Sequence, residues 1–277
     1  MGIKSFRPVT ASSRGTKLVS KDGLWKGGPL KILTEKKKSK AGRNNMGHIT
    51  VRRRGGGHKK VYRVIDFKRN KVDMPATVER IEYDPNRTAF IALLKYKDGI
   101  FSYIIAPDKL KTGDVVSSSK KNALDVRPGN AMTLALMPIG AIIHNIETKP
   151  GAGGSFVRSA GNFAQLVGKD DGYATVKLQS GETRIFPLSC MASVGGVSNL
   201  DKKNEKIGKA GRARWLGRRP KVRGESMNPV DHPLGGRTRG GRHPVSPTGV
   251  CAKGGRTRKK SNPSNRFIVS SRHKNKR

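Results

Sequence analysis

The distribution of charge constrains this chain more than any other feature. Cuts after residues 72 and 200 divide the net charge of +39 into +18, +2 and +19. Few soluble chains carry that much one-sided charge without a polyanion to neutralise it. A hydrophobic core is therefore expected only in the middle. Segments such as VRRRGGGHKK (51–60) and GRARWLGRRPKVRG (211–224) carry little apolar surface to offset the entropy of ordering. They are expected to be mobile when free and ordered on a polyanion, for which nucleic acid is the first candidate.

Composition excludes other classes. No apolar run approaches the ~18 residues needed to span a bilayer, and the basic stretches hold too much Gly and Pro for amphipathic helices. No membrane partner is expected. The opening MGIKSFRPVTASSRG has no apolar stretch of the secretory kind. Cys190 and Cys251 stand far apart without a CxxC, and the six His are scattered without zinc spacing, so no metal site is assigned.

The centre reads as all-β. TVERIEY (77–83) and TAFIALLKY (88–96) flank the turn Asp84-Pro85-Asn86-Arg87, and Asp98-Gly99 leads into IFSYII (100–105). Asp-Gly between apolar runs is a hairpin signal, because Gly accepts the positive φ of the turn. A fourth strand is placed within Leu110 to Val116. After Arg127-Pro128-Gly129 the runs AMTLALM (131–137), AIIHNIE (141–147), FAQLVG (163–168), YATVKLQ (173–179) and TRIFPL (183–188) form a second set. Short strands with turn chemistry between them predict two small barrels.

The motifs point to phosphate and base contact. Arg52, Arg53 and Arg54 offer planar forks that fit phosphate oxygens, the following glycines permit close backbone approach, and His58 can stack or contact phosphate. No GxxxxGK[ST] nucleotide loop occurs. PGAGGSFVRSAG (150–161) reads as a loop between strands, with Arg158 available to RNA. Trp215, set among Lys and Arg, either stacks on a base or anchors its arm to protein.

MNPVDHPLGG (227–236) contains Asp231 beside His232, with Ser226 just before it. A nucleophilic triad needs a rigid and largely dry site. The alternative is a turn. Asn228 precedes Pro229, His232 precedes Pro233 and is pushed to an extended conformation, and Asp231 can accept a hydrogen bond from His232 or from backbone. The turn reading is preferred. No catalytic residue is assigned, with His232 and Asp231 as the one candidate pair.

RRRGGGHKKVYR (52–63), the hairpins after it and above all PKVRGESMNPVDHPLGG (220–236) resemble the universal large-subunit ribosomal protein two family, in its bacterial or organellar form. The resemblance spans essentially the whole chain. It implies a basic extension over 1–72, an OB-fold barrel over 73–128, an SH3-like barrel over 129–200 and a basic extension over 201–277. It implies a primary binder of large-subunit ribosomal RNA that supports assembly, subunit association and tRNA binding near the peptidyl-transferase centre. A role in peptide-bond formation proposed for the family's histidine would fall on His232. The partners implied are large-subunit RNA, small-subunit RNA across the interface and neighbouring ribosomal proteins. No cofactor beyond RNA-associated Mg2+ and no small-molecule substrate is implied, and the place is a cytoplasmic ribosome, or a mitochondrial or plastid one. The RNA-contact set is Arg52, Arg53, Arg54, His58, Lys59, Lys60, Arg158, Arg212, Arg214, Trp215, Arg218, Arg219, Arg223, Asn228, His232, Arg237, Arg239 and Arg242.

Two positions depart from the family pattern. Glu225 stands where a small or apolar residue is usual, and Leu234-Gly235-Gly236-Arg237 replaces His-Gly-Gly-Gly. A DNA or chromatin binder is the competing nucleic-acid reading. It needs no folded centre between its arms, and no DNA-reading helix is apparent.

Overall fold

The strand Ile91–Tyr96 shows why the first half of the centre folds as it does. Alternate side chains of a strand point to opposite faces, and here both faces are covered. Ile91 and Leu93 pack with Ile65, Tyr103, Ile105 and Val197. Ala92, Leu94 and Tyr96 pack with Val78, Phe90, Ile104, Leu110 and Val116. Burying a side chain such as Leu94 contributes roughly 2 kcal/mol.

The computed structural model describes residues 2–236, 243–254 and 257–273. The chain forms two compact units, one made of Met1–Lys38, Lys59–Lys209 and Arg266–Arg277, the other of Ser39–His58 and Ala210–Asn265. No helix among the described residues is long and apolar enough to cross a membrane.

Most of the regular structure in the first unit is strand. Ala76–Glu82, Ile91–Tyr96 and Phe101–Ile105 form the expected meander, and Val115–Val116 pairs with Ala76 and Thr77. Ile65 adds a parallel bridge to Tyr103, which brings a fifth segment to this OB-fold barrel. The second set, an SH3-like barrel, belongs to an eight-stranded sheet. Ala164–Asp170, Tyr173–Leu178 and Thr183–Pro187 are its antiparallel centre. Met132, Leu134, Ile143, Ile146, Leu166, Val176 and Phe186 fill its interior.

Local geometry shortens two of the predicted strands. AIIHNIE divides into Ile142–His144 and Ile146–Glu147, which pair in different sheets. Asn145 between them takes φ +50°, and a left-handed residue turns the strand out of its plane. AMTLALM is strand only over Ala131–Thr133; the Leu136 N–H closes a turn on the Thr133 carbonyl. The run PGAGGSFVRSAG contains a short strand of its own, Gly154–Phe156, paired with Ile146–Glu147. Glu147 is buried beneath it and accepts from the N–H groups of Gly151, Gly153 and Met191.

Long-range returns hold this unit together. The segment after the second barrel comes back to the first: Val197 bridges Pro107, and the Ser198 N–H donates to the Ala106 carbonyl. Ile268–Ser270, near the end of the chain, pairs with Thr183–Pro187.

Candidate nucleic-acid interface

In the second unit the two basic arms are joined through their backbones. Arg54 and Arg218 form an antiparallel bridge. Gly55 N–H donates to the Gly217 carbonyl (3.2 Å), His58 N–H to the Trp215 carbonyl (2.9 Å) and Arg219 N–H to the Arg53 carbonyl (3.1 Å). Glycine makes this approach possible. A Cβ on Gly57, at φ +91°, would sit 2.8 Å from the Gly217 nitrogen and 2.9 Å from the Trp215 carbonyl oxygen. The short helix Ala210–Trp215 delivers the second arm, with Arg212 and Arg214 in its last turn, at the negative end of the helix dipole.

The joint gathers side chains of one kind. Arg52, Arg53, Arg54, His58, Arg214, Arg218 and Arg219 are exposed, and Arg212 is half-buried. Trp215 is 55% exposed, with Leu216 beside it in sequence at 43%. Like charges directly opposite across a strand pair are destabilising by themselves. A row of phosphates reverses that sign, and the indole face adds a stacking surface for an unpaired base.

The first unit carries a second arrangement. Arg158 stacks on the Phe67 ring at 4.6 Å, and Arg87 lies 5.8 Å from the same ring. Arg87 also lies over Tyr62 at 5.7 Å, and its Nε donates to the buried carboxylate of Asp84. Sequence reasoning selected Arg158 and passed over Arg87 as a turn residue. The available signal was its place three residues after the turn-starting Asp84. Lys59 is exposed and Lys60 half-buried, and both belong to this unit.

MNPVDHPLGG closes on itself as a turn. Asp231 N–H donates to the Asn228 carbonyl, Gly235 N–H to the His232 carbonyl and Gly236 N–H to the Met227 carbonyl. His232 is 7% exposed. Its ring lies against Gly224, where a Cβ would come within 2.3 Å of Cε1. The Leu234 N–H donates to His232 Nδ1 at 3.1 Å. A neutral ring therefore carries its proton on Nε2, and neither nitrogen keeps a free lone pair with which to act as a base. The Asp231 carboxylate is exposed and makes no hydrogen bond to the ring, and no Ser–His–Asp relay forms among the described residues. Asn228 and Arg223 are exposed, and Arg223 stands 4.0 Å from Glu225 in a pair open to solvent on both sides. Leu234 offers its backbone, not a second ring, to the turn.

Arg237, Arg239 and Arg242 lie outside the described residues. No group of three or more His, Cys, Asp or Glu among the described residues is arranged to hold a metal ion.

Residues 30–118 match the family model described as the RNA binding N-terminal domain of Ribosomal Proteins L2, and residues 127–249 match its C-terminal domain. The chain is 62% identical, over all of both chains, to the large ribosomal subunit protein uL2 of Granulibacter bethesdensis. It is 63% identical to that of Acidiphilium cryptum over 93% of this chain and 94% of the relative. Identity to that of Parvibaculum lavamentivorans is 57% over the full length of both.

Proposed function

This chain belongs to the ribosomal protein L2 family, and from that premise we propose that it is a structural constituent of the large ribosomal subunit that binds ribosomal RNA directly. The observation that carries the reading is the backbone joint between Arg53–His58 and Trp215–Arg219, which collects exposed guanidinium groups and one indole on a single scaffold. That set has the chemistry to bind a polyanion that offers unpaired bases.

Within that reading the chain supports subunit assembly, association of the two subunits, tRNA binding and the surroundings of the peptidyl-transferase centre. Its partners are large-subunit RNA, small-subunit RNA at the interface and neighbouring ribosomal proteins. Its role in this reading is structural and not catalytic, which the hydrogen bond from the Leu234 N–H to His232 Nδ1 supports. It takes no cofactor of its own, and Mg2+ near it belongs to the RNA. The relatives named above are bacterial, which supports a bacterial ribosome in the cytoplasm.

Sedimentation of a lysate at moderate salt tests this. Nearly all of the chain is expected to travel with the large subunit. A chain found mainly free, or with DNA, contradicts the reading.

A further inference from the structure

Arg69 is 4% exposed and lies where the two barrels of the first unit meet. One of its terminal nitrogens donates to the Ser117 and Gly129 carbonyls, both at 3.4 Å, which is long for a charged donor. Its Nε–H has no hydrogen-bond partner. Asn145, 7% exposed, donates through Nδ2 to the Phe67 carbonyl at 3.4 Å, and its Oδ1 is likewise unpartnered. Both residues line a small cavity of about 10 Å³, together with Asp66, Gly129, His144 and Ser193.

His144 completes the set. Its Nδ1 lies 2.8 Å from the Gly195 carbonyl oxygen, which can only accept, so Nδ1 carries the proton and Nε2 is an acceptor. The site thus combines one unpaired donor with two acceptors. A cavity of this size holds one water and little else, and a buried water takes two to four hydrogen bonds. An anion is too large for the space and would meet the two acceptor atoms unfavourably.

We propose that this cavity is a binding site for a single internal water, which accepts from Arg69 Nε–H and donates to Asn145 Oδ1 and His144 Nε2, and so joins the two barrels through a polar pin. The pin has a functional consequence. Asn145 holds the Phe67 carbonyl, and the Phe67 ring carries Arg158 from the second barrel and Arg87 from the first. Fixing Asn145 therefore fixes the platform on which the two arginines meet. This consequence rests on the RNA-binding reading; the water itself does not.

A map of the large subunit carrying this chain, sharp enough to show ordered water, tests the site. Density is expected within hydrogen-bonding distance of Arg69 Nε, His144 Nε2 and Asn145 Oδ1. An empty cavity, or a bromide-replaceable anion in it, overturns the proposal. Asn145→Leu should abolish the density and weaken RNA binding by the isolated chain about five- to tenfold, the loss of roughly one good hydrogen bond. Unchanged affinity with the water gone removes the positioning role and leaves the site. If Asn145→Leu does not fold, Arg69→Met, which puts a methyl where Nε stands and has no N–H to donate, is expected to weaken the water and the binding in the same way. Water density at the same place and full affinity in Arg69→Met would contradict the assigned donor.

Discussion

Arg54 and Arg218, separated by most of the sequence, stand opposite one another in an antiparallel bridge. Two guanidinium groups in that position repel unless an anion lies between or over them. The bridge is held instead by backbone hydrogen bonds on either side of it, from Gly55 to Gly217 and from Arg219 to Arg53. Backbone bonding thus concentrates positive charge, an arrangement that a bound polyanion would stabilise.

The first expectation concerns salt. Binding to ribosomal RNA should weaken steeply as salt rises, with a log–log slope of about −0.7 to −0.9 per neutralised phosphate. Replacing Arg52, Arg53 and Arg54 together with Ala should lower the affinity and flatten the slope. A slope unchanged by the triple substitution would show that these side chains do not meet phosphates.

A second expectation isolates the joint from its charge. Gly57→Ala places a methyl 2.8 Å from the Gly217 nitrogen at a φ of +91°. Strain at such a position costs on the order of 1–3 kcal/mol. The His58 and Arg219 amides should lose hydrogen-exchange protection, and RNA affinity should fall although no charge has changed. Gly56→Ala, at φ +65° with nothing within 4 Å, is the control and should do less. Equal effects would mean that close approach of the arms is unimportant.

Much of the centre was legible because its signals are local. Asp98-Gly99 announced the hairpin, and Gly99 does take φ +77° while its N–H closes on Tyr96. Burial alternates over Ala76–Glu79, and a register shift before Arg80 ends the alternation. What was hidden depends on partners remote in sequence. Ile268–Ser270 is a strand only because Thr183–Pro187 offers it an edge, and nothing in the basic tail announces that edge. Met191–Val194 is wholly buried and has no alternation to detect. Within the candidate interface the residue types were legible: Arg, Gly and an isolated Trp. Their assembly was not, because the fit of Gly57 against Gly217 is a property of two distant segments. Arg87 was missed because its role depends on Phe67, twenty residues earlier in the chain.

The third expectation is a pH dependence of stability. Burial, reinforced by the charge of Arg69, pushes the His144 imidazole down to about 4. The unfolded chain binds that proton near pH 6.5 and the folded chain does not. His144 therefore contributes stability that is complete above about pH 6.5 and is lost as pH falls towards 4, on the order of 3 kcal/mol in all. Urea midpoints of the isolated chain between pH 7 and 4 should show this loss, and His144→Gln should remove that part of it. An identical pH profile in the variant would contradict the assignment.

The fourth concerns the turn at Asp231 and His232. A general base contributes about 10²–10⁴-fold to a chemical step. Gln at position 232 can still accept from the Leu234 N–H but cannot titrate near neutrality. Assembled ribosomes with His232→Gln should transfer peptides within about tenfold of the unaltered rate, below the usual contribution of a base. His232→Ala should show its effect in assembly or subunit joining. A loss of about a thousandfold in fully assembled His232→Gln particles, within the range of a general base, would revive the catalytic reading.

The most direct test of the account is a nucleotide-resolution crosslinking map of this chain on the intact large subunit. If the joined arms form one RNA-binding scaffold, peptides spanning 52–58 and 212–219 should crosslink to the same or adjoining stretches of ribosomal RNA, with Trp215 at an unpaired base. Crosslinks from the two peptides to unrelated RNA sites, or none from either, would contradict it.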